Sequence, residues 1–239
     1  MPAHKTLNYR EGLFLVALWL GLLLFLSIDL LFAAAPEPAG VDYVRYTRRL
    51  TADGAPIIGE PDAPVTVVVF VDYACPHCAA YLPSLQTFIE QSIASGKARL
   101  EMRILTGLAP GESDLAAQGV LCAREQNSFW EMQEVILRAA QDTGKRQHFT
   151  VQGLEEMADS LGLNAADFRQ CLQSEGQYDS VLQNNVDLAR QAGVRTLPAV
   201  LIRTRGTEAP QWPTLNGQPL TGALSNDALV AVIRAAEAD

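Results

Sequence analysis

The apolar positions of this chain fall into runs of different period, and each run predicts an element. From Leu13 to Ala35 they are nearly continuous, with Asp29 the only ionisable side chain, near the outer end. A helix of about 23 residues rises ~35 Å at ~1.5 Å per residue, enough to cross a hydrocarbon core of ~30 Å. Lys5 and Arg10 precede this run, and Glu37 and Asp42 follow it. The basic bias makes residues 1–12 a cytoplasmic N-terminus and 13–35 a transmembrane anchor, with the remainder exported. A signal peptide cleaved after Ala35 is the competing reading, although Pro36 would then follow the cut and the run exceeds a usual signal core. Both readings place the rest of the chain on the same oxidising side of the membrane.

Residues 36–64 read as a tether and lead-in, small and proline-rich at Ala33–Gly40, with Val41–Leu50 open to either a short strand or a helical turn. Val65–Asp72 (VTVVVFVD) is continuously β-branched and aromatic, the pattern of a strand buried on both faces. Tyr81, Leu82, Leu85, Phe88 and Ile89 recur at helical spacing up to about Ser95, and Gly96 ends that helix. Ala98–Leu105 alternates Leu100, Met102 and Ile104 with Arg99, Glu101 and Arg103, which predicts a strand with one solvated face. Ser113–Ala192 is helical in pattern, with breaks near Asp142–Phe149, at Gly162 and at Gly176. Its acidic residues Glu125, Glu131, Glu134, Glu155, Glu156 and Asp159 read as a solvated face, and Phe129 and Trp130 as core. Ala199–Ile202 and Pro219–Gly222 predict a final strand pair around Asn216-Gly217, and Leu224–Ala238 an amphipathic helix. Strand, helix, strand, helical block, two strands and helix make an α/β fold with a mixed sheet, spanning residues 65–239.

Composition narrows the function. The 239 residues are 49% apolar, which argues against a disordered chain, and part of that fraction belongs to the anchor. Eighteen basic against 27 acidic side chains give a formal charge of −9, which argues against nucleic acid as a partner. Four cysteines are too few for a disulfide scaffold, but two of them form Cys75-Pro76-His77-Cys78 at the junction of a buried strand and a helix. At that junction unpaired backbone N–H groups favour a thiolate on Cys75, and Pro76 suits the first helical turn. Spacing i to i+3 sets Cys78 one turn below, so Cys75 reads as the exposed nucleophile and Cys78 as the buried resolving thiol. A zinc site would need two further ligands, and Cys122 and Cys171 form no second C-x-x-C. The chain itself implies no metal and no organic cofactor. Cys122 and Cys171 read as a candidate structural disulfide in an exported domain, with two buried free thiols as the alternative. Asp72, three residues before Cys75, reads as a cap on the turn, the alternative being a proton acceptor for Cys78.

Phe70–Cys78 (FVDYACPHC), the later Gly193–Ala199 (GVRTLPA) and the helical segment Leu121–Trp130 together resemble the DsbA-like thioredoxin-fold oxidoreductases. The resemblance covers roughly Val65 to the C-terminus and implies a thioredoxin-like sheet with a helical insertion at about 113–176. It implies a cis Leu197–Pro198 bond facing the active disulfide, with the Leu197 backbone offered to an extended client. It implies His77 as the partner that stabilises the Cys75 thiolate; a pKa depression of about three units would be worth ~4 kcal/mol, or on the order of 90 mV. The function implied is a periplasmic protein disulfide oxidase, held by a single pass in the inner membrane. It would act on reduced or unfolded exported proteins and be reoxidised by a quinone-linked DsbB-type membrane oxidase. A reductase or isomerase of the same fold, or a non-catalytic chaperone-like assembly factor, stands as the alternative.

Overall fold

The computed structural model describes residues 40–141 and 149–238. The predicted N-terminus and anchor, residues 1–35, lie outside the described residues. Among the described residues no helix is long and apolar enough to cross a membrane.

Seven strands and eight α-helices are found among these residues. The strands are β1 (Arg48–Leu50), β2 (Pro56–Ile58), β3 (Val65–Val71), β4 (Ala98–Ile104), β5 (Ala199–Thr204), β6 (Thr214–Leu215) and β7 (Gln218–Pro219). The helices are α1 (Pro76–Ala80), α2 (Leu82–Phe88), α3 (Glu112–Arg124), α4 (Phe129–Gln141), α5 (Val151–Ser160), α6 (Ala165–Leu172), α7 (Asp179–Gln191) and α8 (Asn226–Ala238). The main sheet runs β1-β2-β4-β3-β5, with β3 parallel to β4 and the other pairings antiparallel. It is therefore mixed, as the pattern predicts.

The β-branched run forms the interior strand β3, between β4 and β5, all seven residues buried. Its odd-numbered valines face one large core with Leu100, Met102 and Ile104 of β4 and with residues of α1, α2, α3, α4 and α8. Val68 and Phe70 face a smaller core with Ala199, Leu201 and Ala189, the last from α7. Burying a valine from both sides contributes about 1.5–3 kcal/mol, so the strand that carries the site is also one of the most firmly packed. Met102, Phe129 and Trp130 are core residues, as their spacing predicts.

The structure corrects the sequence reading at five places. Residues 48–58, assigned to the lead-in, supply two strands of the main sheet. The charged face of β4 is not solvated: Glu101 is fully buried and Arg103 nearly so. Arg103 binds Glu101 (Nε to Oε1, 2.7 Å), Asp53 (2.6 Å) and Asn185 (3.1 Å), while Arg203 binds the second Glu101 oxygen at 2.8 Å. These partners come from the β1–β2 turn, β5 and α7, so no local pattern announces them. Glu134 is likewise buried, accepting from the Tyr43 hydroxyl at 2.9 Å and from Arg138 at 2.8 Å. Asn216 and Gly217 do form the turn, both at positive φ, but it joins β6 to β7 in a separate ribbon; β5 instead pairs with β3. The helix after Cys75 is broken at Tyr81, two residues before Pro83, and ends in a π turn at Ile89–Ile93.

Candidate active site

Strand β3 ends at Val71, and residues 72–74 turn the chain into α1. Cys75 occupies the N-cap of α1 in an extended conformation (φ −82°, ψ 117°), and Pro76 follows in the first turn, where a missing N–H costs nothing. The Cys75 N–H donates to the Asp72 carbonyl at 3.0 Å, which closes the turn. Both thiols are free.

The two sulfurs differ in environment. Cys78 is fully buried, and Cys75 retains 5% of its surface. The order of burial follows the i, i+3 spacing, but Cys75 is far less open than expected of a nucleophile at a helix end. The reason is the loop that precedes β5, which passes directly over it: the Leu197 carbonyl oxygen lies 3.9 Å from the Cys75 sulfur. Burial pushes the Cys78 thiol well above the ordinary range; a backbone N–H of Asp72 offsets part of this, and the neighbouring Cys75 adds to it.

Cys75 lines an open cavity of about 520 Å³. Asp72, Cys75 and His77 line it together with residues 105–108 on one side and 194–197 on the other. His77 is exposed and shares this cavity with the Cys75 sulfur. The Leu197–Pro198 peptide is cis, the conformation the resemblance implies. The structure thus brings Cys75, Cys78, Pro76, His77, Leu197 and Pro198 to one place.

Cys122 and Cys171 lie elsewhere. They form a disulfide joining α3 to α6, with Cα atoms 5.7 Å apart, inside the helical insertion rather than at the cavity. Asp72 is fully buried, and its carboxylate accepts from the Ala74 N–H at 2.8 Å, so it does cap the turn. It also binds Ser113 and the backbone of Leu108, a network that the sequence reading missed. Only the three-residue offset of Asp72 from Cys75 pointed there; Ser113 and the 105–108 loop carry no periodic signal. Among the described residues no cluster of His, Cys, Asp and Glu is arranged to hold a metal. The insertion also grips the active-site turn: Tyr73 donates to Gln133 at 3.3 Å and Gln141 to the Ala79 carbonyl at 2.8 Å.

Comparison with known proteins agrees with this arrangement. A family model described as Thioredoxin matches residues 51–217, well over half of the chain. Disulfide bond formation protein D of Bacillus subtilis is 25% identical over 158 residues, covering 64% of this chain and 69% of that protein. Thiol:disulfide interchange protein DsbG of Escherichia coli is 28% identical over 111 residues, 44% of this chain and 43% of that protein. The Na(+)/H(+) antiporter NhaA 3 of Salinispora tropica is 29% identical over 152 residues, 64% of this chain but 22% of the antiporter. The chain therefore spans less than half the length of two of these relatives. The crystal structure of Wolbachia pipientis α-DsbA1 superposes with a TM-score of 0.65 at 16% identity, covering 79% of this chain and 94% of that one, which establishes the shared fold. The chain belongs to the thioredoxin family.

Proposed function

We propose that this chain is an exported protein disulfide oxidase that donates a Cys75–Cys78 disulfide to reduced client proteins. The observation that carries the reading is the pairing of a cavity-lining Cys75 with a fully buried Cys78 one turn behind it. Only the first sulfur is reachable by a client. A client thiolate attacks the Cys75 sulfur of the oxidised protein, the Cys75–Cys78 bond breaks, and Cys78 leaves and takes up a proton. A second client thiolate then attacks the mixed disulfide and releases Cys75. The client loses two electrons and gives up its two thiol protons to solvent; the protein gains the two electrons, ending with Cys75 as thiolate and Cys78 protonated.

The remaining residues have roles in this scheme. Pro76 and His77 set the environment of the nucleophile, with His77 favouring the reduced form and so the oxidising direction. Leu197 and Pro198 present backbone to an extended client in the manner of strand addition. Return to the oxidised state is assigned to a quinone-linked DsbB-type membrane oxidase, and the site to the periplasmic face of the inner membrane, held there by residues 13–35. The single-pass segment read from the sequence supports the membrane location. Clients are unfolded exported proteins, since backbone pairing is tolerant of sequence.

The likeness to a protein named for thiol:disulfide interchange keeps a second reading in view, a reductase or isomerase on the same scaffold. Refolding of a reduced model protein, run beside insulin reduction, tests the two: fast oxidation with weak insulin reduction is expected, and the converse would contradict the assignment. Replacing Cys75 with Ala should abolish disulfide transfer, whereas a chaperone-like activity in the same cleft would survive it.

A further inference from the structure

Helix α7 is held to the sheet by a polar contact more than by an apolar face. Of its 13 residues only Asn185 and Ala189 are buried, while Val181, Leu182, Val186 and Leu188 are half-buried. A surface helix of this length ordinarily docks through a stripe of buried apolar side chains. Here the stripe centres on an asparagine with both ends of its amide engaged. Asn185 Oδ1 accepts from Arg103 Nη1 at 3.1 Å, and Asn185 Nδ2 donates to the Ile104 carbonyl at 3.0 Å. Ile104 closes β4, and the following N–H, that of Leu105, donates at 2.8 Å to the carbonyl of Val71, the last residue of β3. The amide therefore grips the sheet where β3 gives way to the active-site turn.

The other end of α7 leads to the nucleophile without a free joint. The Gly193 and Val194 N–H groups close the helix onto the Arg190 and Ala189 carbonyls at 3.2 and 2.9 Å, with Gly193 at φ +68°. The Trp212 indole N–H donates to the Ala192 carbonyl at 2.8 Å. Residues 194–197 follow, lining the Cys75 cavity and setting the Leu197 carbonyl oxygen 3.9 Å from the Cys75 sulfur. Under this cover Cys75 keeps 5% of its surface, so the loop decides how closely a thiolate approaches the sulfur. Neutralising Arg103 does not account for Asn185. Asp53 and Glu101 supply that charge, a neutral amide adds none, and its donor end serves the strand end instead of the cation.

We infer, resting on the oxidoreductase reading, that Asn185 is a positioning residue for thiol exchange: through α7 it fixes where residues 194–197 stand over Cys75. Trp212 holds the same helix nearer the loop. Loosening either contact lets the loop lift. That uncovers the sulfur to small reagents, and it displaces the Leu197 backbone with which an extended client pairs. The two effects have opposite signs, which a loss of stability in a protein that is still folded does not produce.

The test uses the full chain at a temperature where each variant is folded. In the reduced protein, alkylation of Cys75 by iodoacetamide is measured at the plateau of its pH profile, so that the thiolate population does not enter. In the oxidised protein, the second-order rate of exchange is measured with glutathione and with an extended dithiol peptide. Asn185→Ala should alkylate about tenfold faster, the scale of one net hydrogen bond. It should also lose about tenfold in rate with the peptide, as a misplaced reactant does, with a smaller change for glutathione. Trp212→Phe, which removes the indole N–H and keeps an aromatic ring, should move both rates in the same directions, and it decides the matter if Asn185→Ala does not fold. Asp53→Asn weakens the same ionic network from outside α7 and should lower stability with both rates unchanged. Wild-type alkylation in the Asn185 and Trp212 variants, faster alkylation with unchanged peptide exchange, or an equal change in Asp53→Asn would overturn the inference and leave the oxidoreductase reading intact. Wild-type protein that exchanges with neither glutathione nor the peptide would overturn that reading itself.

Discussion

In the reduced protein Cys78 keeps its proton at neutral pH, because no water reaches the sulfur to solvate a thiolate. Alkylation of the reduced protein near pH 7, followed by peptide mapping, should therefore label Cys75 and spare Cys78. The same burial has a thermodynamic sign. A thiol whose folded pKa lies above its ordinary value of 9.0 stabilises the fold fully below that pH, and the contribution is lost as pH rises above it. Tyr81, which burial pushes up to about 12, acts in the same direction from about pH 10 upward. Reduced protein should lose up to ~1.4 kcal/mol of unfolding free energy per pH unit for each such group in that window. Urea titrations between pH 8 and 11 would show it, with a shallower decline in Cys78→Ala.

At the scale of elements, what the sequence made legible was what local period decides. The seven-residue run of β3, the helix that follows Cys75 and the Asn216-Gly217 turn were all readable from near neighbours. The charged positions read as solvated share a cause. Alternating charge on β4 means a solvated face only if no distant group pairs with it, and Asp53 and Arg203 neutralise it while Asn185 adds a hydrogen bond, all from elsewhere in the chain. Glu134 was hidden in the same way by Tyr43. Asp72 was legible as a turn cap, whereas its partners Leu108 and Ser113 were not, since a loop held by one carboxylate leaves no periodic trace. Cys122 and Cys171 could be named as a pair but not placed, because spacing does not give distance.

These elements carry their own tests. Replacing Arg103 with Leu leaves Glu101 buried with Arg203 as its remaining cation and should cost about 3–5 kcal/mol in urea unfolding. A loss below ~1 kcal/mol would mean that the network relaxes or admits water. Replacing Cys122 and Cys171 together by Ala removes a link across 49 positions and should destabilise by ~2–4 kcal/mol. Because that bridge joins α3 to α6 and lies away from the cavity, the double variant should keep most of its thiol-exchange rate at temperatures where it remains folded.

For the whole molecule, the turn that leaves a strand of the thioredoxin-like sheet sets Cys75 at the N-cap of α1, the loop before β5 passes over its sulfur, and residues 105–108 and 194–197 line its cavity. A formal charge of −9 disfavours a polyanionic partner. The scaffold alone does not decide whether disulfides flow out of the protein or into it; the relative stability of the reduced dithiol does. Equilibrating the full chain in glutathione buffers and quantifying the Cys75–Cys78 disulfide gives that quantity directly. A reduction potential of about −120 to −180 mV, as in oxidising members of this fold, is expected of a disulfide donor, and a value of about −270 mV, as in thioredoxin, would contradict that assignment.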